Sequence, residues 1–181
     1  MSGISPGAAR MLQGLFGRRL DAASRESGVL MLRFVADAPP AGLPADTPLD
    51  APLDAPPLVL QVACAWRLAD ADHVLVASGD LFAPADPDAD LETFDWETPG
   101  ATWWDVALAR ALAGRATPPR VERVEPDVLG GLRLELDAGL VFEAFANSTS
   151  APHVETEFWR LGQEGDGAQL VVGTNGATLE E

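Results

Sequence analysis

Apolar positions alternate with polar or mixed ones in two stretches that read alike. Leu30, Leu32 and Phe34 alternate with Met31, Arg33 and Val35, while Leu132, Leu134 and Leu136 alternate with Arg133 and Glu135. A period of two places alternate side chains on opposite faces of a strand, and a partly polar second face suits an antiparallel sheet. The next alternating runs also correspond: Leu58-Val59-Leu60-Gln61-Val62 and Leu140-Val141-Phe142-Glu143-Ala144. Trp66-Arg67-Leu68 follows one and Trp159-Arg160-Leu161 the other. The series close on Leu75-Val76-Ala77-Ser78-Gly79-Asp80 and on Leu170-Val171-Val172-Gly173-Thr174-Asn175. Four elements recurring in one order predict a single domain over 1–181, α+β and mostly antiparallel β. It would be built from two duplicated four-stranded units, residues 18–80 and 120–175, burying matching faces about a pseudo-twofold.

Other elements follow from local signals. Ser5-Pro6 reads as an N-cap and a first helical proline, and Met11, Leu12, Leu15 and Phe16 give one apolar face, so a short N-terminal helix is expected over 6–16. A first strand over Arg18–Arg25 turns at Ser27-Gly28 into Val29–Ala36. Leu58–Leu68 and His73–Leu81 read as the next two strands, before an acidic loop over Phe82–Gly100. Thr102 with Asp105 three positions on makes a capping box for a helix at 103–113, stopped by Gly114 and Pro118-Pro119. Its face of Trp104, Leu108, Ala111 and Leu112 would pack on the sheet where the helix links the halves. Strands resume at Arg120–Glu125, Leu132–Leu136, Leu140–Ala146, Glu155–Leu161 and Gln169–Gly173, with a second-half insertion at Asn147–Val154.

Residues 38–57 have no such period. Only Ala138 and Gly139 separate Asp137 from Leu140, whereas the Pro/Asp-rich run lies between Asp37 and Leu58. It therefore reads as an insertion in a hairpin loop, extended, exposed and open to shortening, and not as a domain linker.

Composition adds limits. A chain of 181 residues, 47% apolar, can bury a core without staples. No apolar run reaches the roughly 18 residues of a membrane span. Arg10, Arg18 and Arg19 precede no long apolar stretch, so no secretory signal is expected. The single Cys64 forms no internal disulfide and fits a reducing, cytoplasmic setting. Net charge is −16, and residues 35–105 hold twelve Asp and two Glu against Arg67 alone. Such a block repels phosphate backbones, arguing against nucleic acid, and would steer a basic protein partner if it is not there for solubility alone. All twelve basic residues are Arg, a pattern that GC-rich codon usage and salt adaptation both produce.

Candidate chemistry is sparse. Trp and Arg of each Trp-Arg-Leu point to opposite faces of a strand, so an inward Trp sends Arg67 or Arg160 outward, where Asp80 or Glu143 could pair with it. Those arginines either anchor the sheet or face an anion; in the second case Arg67 and Arg160 would clamp it between the repeats, with Asp80 and Asn175 as diverged equivalents. The run Asp86, Asp88, Asp90 with Glu97 has calcium-loop spacing, but Leu91 stands where the turn needs Gly and Pro87 interrupts the start, so no metal is expected. His73 and His153 have no metal spacing, Cys64 sits in an apolar strand, and no nucleophile has a base signature beside it. No cofactor and no catalytic residue are expected, and the oligomeric state is open.

The stretch Leu132–Leu136, Leu140–Phe145 and Glu157-Phe158-Trp159-Arg160-Leu161 resembles a group of small uncharacterised bacterial proteins that share a hairpin followed by a Glu-x-Trp-Arg strand. Some are similar to immunity or partner-binding proteins, and the resemblance implies that class and no catalytic residues. The leading expectation is a non-enzymatic binding protein, immunity-like or adaptor, that meets a basic partner through Asp86, Asp88, Asp90, Glu92 and Asp95. The alternative is a small-molecule-binding or enzymatic domain with an anion site at the junction of the repeats.

Overall fold

The computed structural model describes residues 5–36, 55–113, 115–149, 151, 154–165 and 167–180. Most of the expected 38–57 insertion, Gly114 and His153 lie outside the described residues. Ser5 accepts from the Ala8 amide, and Pro6 opens helix α1, Pro6–Gln13. The helix is shorter than expected because Arg18 folds back on it. Its Nε donates to the Gly14 carbonyl at 2.8 Å and its Nη1 to Pro56 at 2.9 Å, capping the last turn with a buried cation.

Strands β1 (Arg19–Glu26), β2 (Val29–Val35), β3 (Leu58–Val62), β4 (Ala65–Ala69) and β5 (Val74–Ala77) come next, and a 3-10 turn at Ser78–Phe82 follows them. Helix α2 (Trp103–Leu112) precedes β6 (Val121–Pro126), β7 (Leu132–Leu136), β8 (Leu140–Phe145), β9 (Glu157–Gln163), β10 (Gln169–Gly173) and β11 (Gly176–Glu180). The fold is α+β, with every strand pair antiparallel. No helix among the described residues is long and apolar enough to cross a membrane.

One sheet has the order β1-β2-β3-β9-β10-β11, the other β5-β4-β8-β7-β6. Exchanging β1 with β6, β2 with β7, β3 with β8, β4 with β9 and β5 with β10 converts one order into the other, β11 excepted. The register obeys the same exchange. Leu30, Leu32 and Phe34 pair with Val62, Leu60 and Leu58, as Leu132, Leu134 and Leu136 pair with Ala144, Phe142 and Leu140. Trp159 stands opposite Val62 and Trp66 opposite Ala144, so the two tryptophans hold equivalent places. A bulge falls at Asp21 in β1 and at Glu122 in β6, again counterparts.

The halves are nevertheless not two separate four-stranded units. Each contributes its first three strands to one sheet and its fourth and fifth to the other, so both sheets contain strands of both halves. Leu58–Leu68, which reads as one strand, is β3 and β4 around a corner at Ala63-Cys64, where both amides donate to the Phe158 carbonyl at 2.9 and 3.1 Å. Leu58, Leu60, Val62, Cys64, Trp66 and Leu68 are all buried. Inward parity survives the corner, and hydrophobic pattern alone cannot show the bend.

The equivalence of Leu75 with Leu170 is off by one. Leu68 pairs with Val76 and Leu161 with Leu170, making Val76 the counterpart, and Val76 is the buried residue. A one-residue slip exchanges the faces of a strand, so burial decides the register. Strand β11 was not expected; its signal is Asn175 followed by Gly176, and the two-residue hairpin turn Thr174-Asn175 joins paired Gly173 and Gly176.

The inward residues of both sheets form one core that includes Leu60, Leu134, Trp159 and Leu161. Helix α2 packs on β5 and the 3-10 turn, and α1 on β9 and β11. Thr102 is fully buried, and the Asp105 carboxylate accepts from its amide at 3.1 Å and its hydroxyl at 2.9 Å, completing the expected cap.

Candidate functional site

The outward face of the β5–β6 sheet carries a row of alternating charge. Arg67, Glu143, Arg133 and Glu125 stand opposite one another on β4, β8, β7 and β6. Arg67 Nε donates to one Glu143 oxygen at 2.7 Å and Arg133 Nη1 to the other at 2.8 Å. Arg133 also lies 3.7 Å from Glu125, which meets Arg123 at 2.6 Å. Burial pushes the Glu143 carboxyl up, but the hydrogen bonds from Arg67 and Arg133 outweigh it and hold it below the usual range. The Arg67 guanidinium further lies 5.0 Å from the Phe145 ring. Arg67 is thus occupied by cross-strand packing. The outward Arg/Glu alternation of Leu132–Leu136 was the sequence signal for this row; it needed strand neighbours to be read.

The equivalent row on the other sheet is Arg160, Gln61, Met31 and Ser24. The carboxylate position is Gln61, so Arg160 turns instead to Glu157, bonding both its oxygens, and donates to Gln169 at 3.1 Å. These bonds to Glu157 raise the guanidinium's pKa. The Asn175 amide, in the β10–β11 turn, donates to Glu155. Asn175, Glu155, Glu157 and Glu180 line an open polar pocket outside β9–β11. Asp80 sits elsewhere, accepting from the Ala77 amide at 2.8 Å to start the 3-10 turn. By register its counterpart is Thr174, not Asn175. The structure places Arg67 and Arg160 in different sheets, each engaged by a carboxylate, and does not bring Arg67, Arg160, Asp80 and Asn175 into one pocket.

The acidic loop is ordered. Ala85 donates to Ala101 and Trp103 to Ala83, both at 2.7 Å, clasping its ends. Within it, Asp86, Asp90 and Asp95 each accept from the amide two residues ahead at 2.9–3.0 Å. Asp90 and Asp95 also accept from the hydroxyls of Thr93 and Thr98. These Asx turns fix the loop together with backbone turn bonds, in which the amides of Ala89, Thr93 and Thr98 donate to the carbonyls of Asp86, Asp90 and Asp95 at 3.2–3.4 Å. The bonds from the Thr98 hydroxyl and Glu97 amide lower the pKa of Asp95. Phe94 and Trp96 pack edge to face, 4.5 Å apart. Residues 83–102 contain six acids and no base. Asp86, Asp88, Asp90, Glu92 and Asp95 are all exposed, and so are the apolar Phe82 and Leu91. The Asp88 and Glu92 side chains take part in none of the turns. With Glu97 drawn to Arg25 at 3.6 Å, the spacing that suggested calcium is not assembled, and no metal-holding cluster occurs among the described residues.

Cys64 is buried, and burial pushes its thiol up to about 11 despite opposing backbone hydrogen bonds, which removes the thiolate a nucleophile needs. His73 is exposed, 3.8 Å from Asp70. Comparison with protein-family models, with curated proteins and with solved structures finds no match for this chain.

Proposed function

We propose that the protein is a non-enzymatic binding protein, immunity-like or adaptor in class, whose acidic loop receives a basic surface of a protein partner in the cytoplasm. The observation that carries this reading is the order of that loop: Asp86, Asp90 and Asp95 spend one face of their carboxylates on turns, so the exposed charge is held in place before any partner arrives. A preformed loop loses little conformational freedom on binding, and uncompensated like charge speeds encounter with an opposite surface. Exposed Phe82 and Leu91 supply apolar contact beside the charge.

The test is affinity capture from the native host at about 0.05 M and about 0.5 M salt, where screening differs several-fold in range. Wild type is compared with the double variant Asp88→Asn/Glu92→Gln, which removes charge without touching the turns. A basic partner recovered at low salt, lost at high salt and depleted with the variant is the expected result. Recovery of no partner, or of one indifferent to salt and to the variant, overturns the reading.

A further inference from the structure

A strand at the edge of a sheet offers a row of unpaired amides and carbonyls to any further strand, and proteins usually guard such edges with bulges, prolines, charges or a covering element. The two sheets have four edge strands: β1 and β11 in one, β5 and β6 in the other. Three are guarded. Strand β1 is bulged at Asp21, bridged at Arg19 to Arg120, and ends in Arg25-Glu26. Strand β6 is bulged at Glu122, carries Arg123 and Glu125, and ends at Pro126. Strand β5 is only four residues long, and α2 and the 3-10 turn pack against it. Strand β11 has no bulge, no proline and no base, and all five of its residues pair with β10 in unbroken register.

That register decides which backbone groups are free. In a two-residue hairpin the residues flanking the turn exchange hydrogen bonds, and every second pair beyond them does so too. Gly176, Thr178 and Glu180 therefore direct their amides and carbonyls to Gly173, Val171 and Gln169. Those of Ala177 and Leu179 point away from β10, and no strand or turn among the described residues takes them up. Ala177, Thr178, Leu179 and Glu180 are all exposed. The two faces beside this edge differ in chemistry. On the outward face, Thr178 and Glu180 line the open pocket together with Glu155 and Glu157. Arg160 beside these carboxylates is bonded to both oxygens of Glu157. On the inward face, Ala177 lines a small space with Leu12, Trp159 and Leu170, and Leu179 lies against Gly7 of α1.

We infer that the β11 edge is a docking site for an extended segment of another protein, added antiparallel as a further strand, in which basic side chains alternate with apolar ones. Its apolar residues stand opposite Ala177 and Leu179, exchange backbone bonds with the free edge and continue the inward face toward α1. Its basic residues stand opposite Thr178 and Glu180 and lie over the carboxylates, where opposite charges on neighbouring strands attract. A second copy of this chain fits worse. Pairing β11 with itself sets two acidic pockets side by side on molecules of net charge −16. The surface shares no residue with the acidic loop, so the two readings stand or fall separately.

The probe is a short capped peptide in which lysine alternates with valine, followed through the backbone amide resonances of the ¹⁵N-labelled full chain. Saturating shifts centred on Ala177 and Leu179 are expected, with slower solvent exchange of both amides. Methylating the valine nitrogens removes the donors to β11 and keeps the charge; binding should weaken at least about tenfold. Glutamate in place of lysine should weaken it by as much. Glu155→Gln/Glu180→Gln should weaken the lysine peptide roughly threefold to tenfold, the worth of exposed ion pairs. Leu179→Pro deletes an outward donor without touching a bond to β10 and should weaken binding about tenfold; if it does not fold, the methylated peptide carries the same test. No saturation at millimolar peptide, shifts that leave Ala177 and Leu179 unmoved, or equal binding of either altered peptide would each overturn the inference. Concentration-dependent shifts of those two amides without peptide would place a second copy on the edge and overturn it as well.

Discussion

Arg19 and Arg120 face each other in an isolated antiparallel bridge that joins the starts of β1 and β6, an edge of each sheet. Leu20 donates to the Pro119 carbonyl at 2.8 Å and Val121 donates to that of Arg18 at 2.8 Å. Leu20 and Val121 are counterparts, each opposite the last inward residue of its neighbour, Phe34 or Leu136. The bridge therefore maps onto itself under the exchange of halves, and the pseudo-twofold passes between the two arginines. Arg19 also donates to Pro118 at 2.8 Å and approaches Asp137 at 3.7 Å.

Because each half completes the other's sheet, neither should fold as a monomer. Expressed alone, residues 102–181 lack the strands that flank β8 on one side and β9 on the other. Size-exclusion and circular dichroism should find this fragment unfolded or dimeric. A cooperatively folded monomer would contradict the interleaved arrangement.

Trp159→Phe keeps most of the apolar bulk but deprives the buried Gly130 carbonyl of its donor. The expected cost is about 1–3 kcal/mol, read as a lower urea midpoint. A loss under a few tenths would show that water replaces the indole.

Glu143→Gln removes the carboxylate shared by Arg67 and Arg133. Both arginines reach solvent, so the loss should be near ~1 kcal/mol, and it should shrink in high salt. Double-mutant cycles with Arg67→Ala and Arg133→Ala should each show coupling; additivity in both would mean the row is decorative.

Acid should weaken the fold through Glu143 and Asp105. For each, burial pushes the carboxyl up and is outweighed: by Arg67 and Arg133 for Glu143, and by Thr102 and Arg25 for Asp105. Both fold with a depressed pKa. Their stabilisation is therefore present above the unfolded value, near ~4, and fades as pH falls through the lower folded value. Melting temperature should drop across that window, and less steeply in Glu143→Gln and Asp105→Asn. Parallel curves for wild type and both variants would refute the assignment.

The Cys64 thiol, buried and titrating at about 11, should resist alkylation in the folded chain at a pH near ~8 and react as one thiol per chain on unfolding. Rapid modification of the native protein would show that the β3–β4 corner opens.

Which residues of the long alternating strands face inward, and that the segments recur in one order, can be read from the chain alone. Period-two alternation is a property of a single strand: Leu30, Leu32 and Phe34, or Leu132, Leu134 and Leu136, declare their face without reference to any neighbour. Capping is as local, and Ser5-Pro6 and Thr102 with Asp105 act where they were expected to. Only the tertiary structure decided which strands pair. Trp66 and Trp159 each open the same Trp-Arg-Leu tripeptide, so either strand offers the same alternating face to either neighbouring hairpin, and pattern cannot choose between them. The corner at Ala63-Cys64 chooses: it turns β4 out of the sheet of β3 without changing inward parity, and leaves that edge of β3 to β9. The same step sends Arg67 and Arg160 to separate sheets, pairs one with Glu143 and leaves the other opposite Gln61, and so settles that two identical motifs meet different partners.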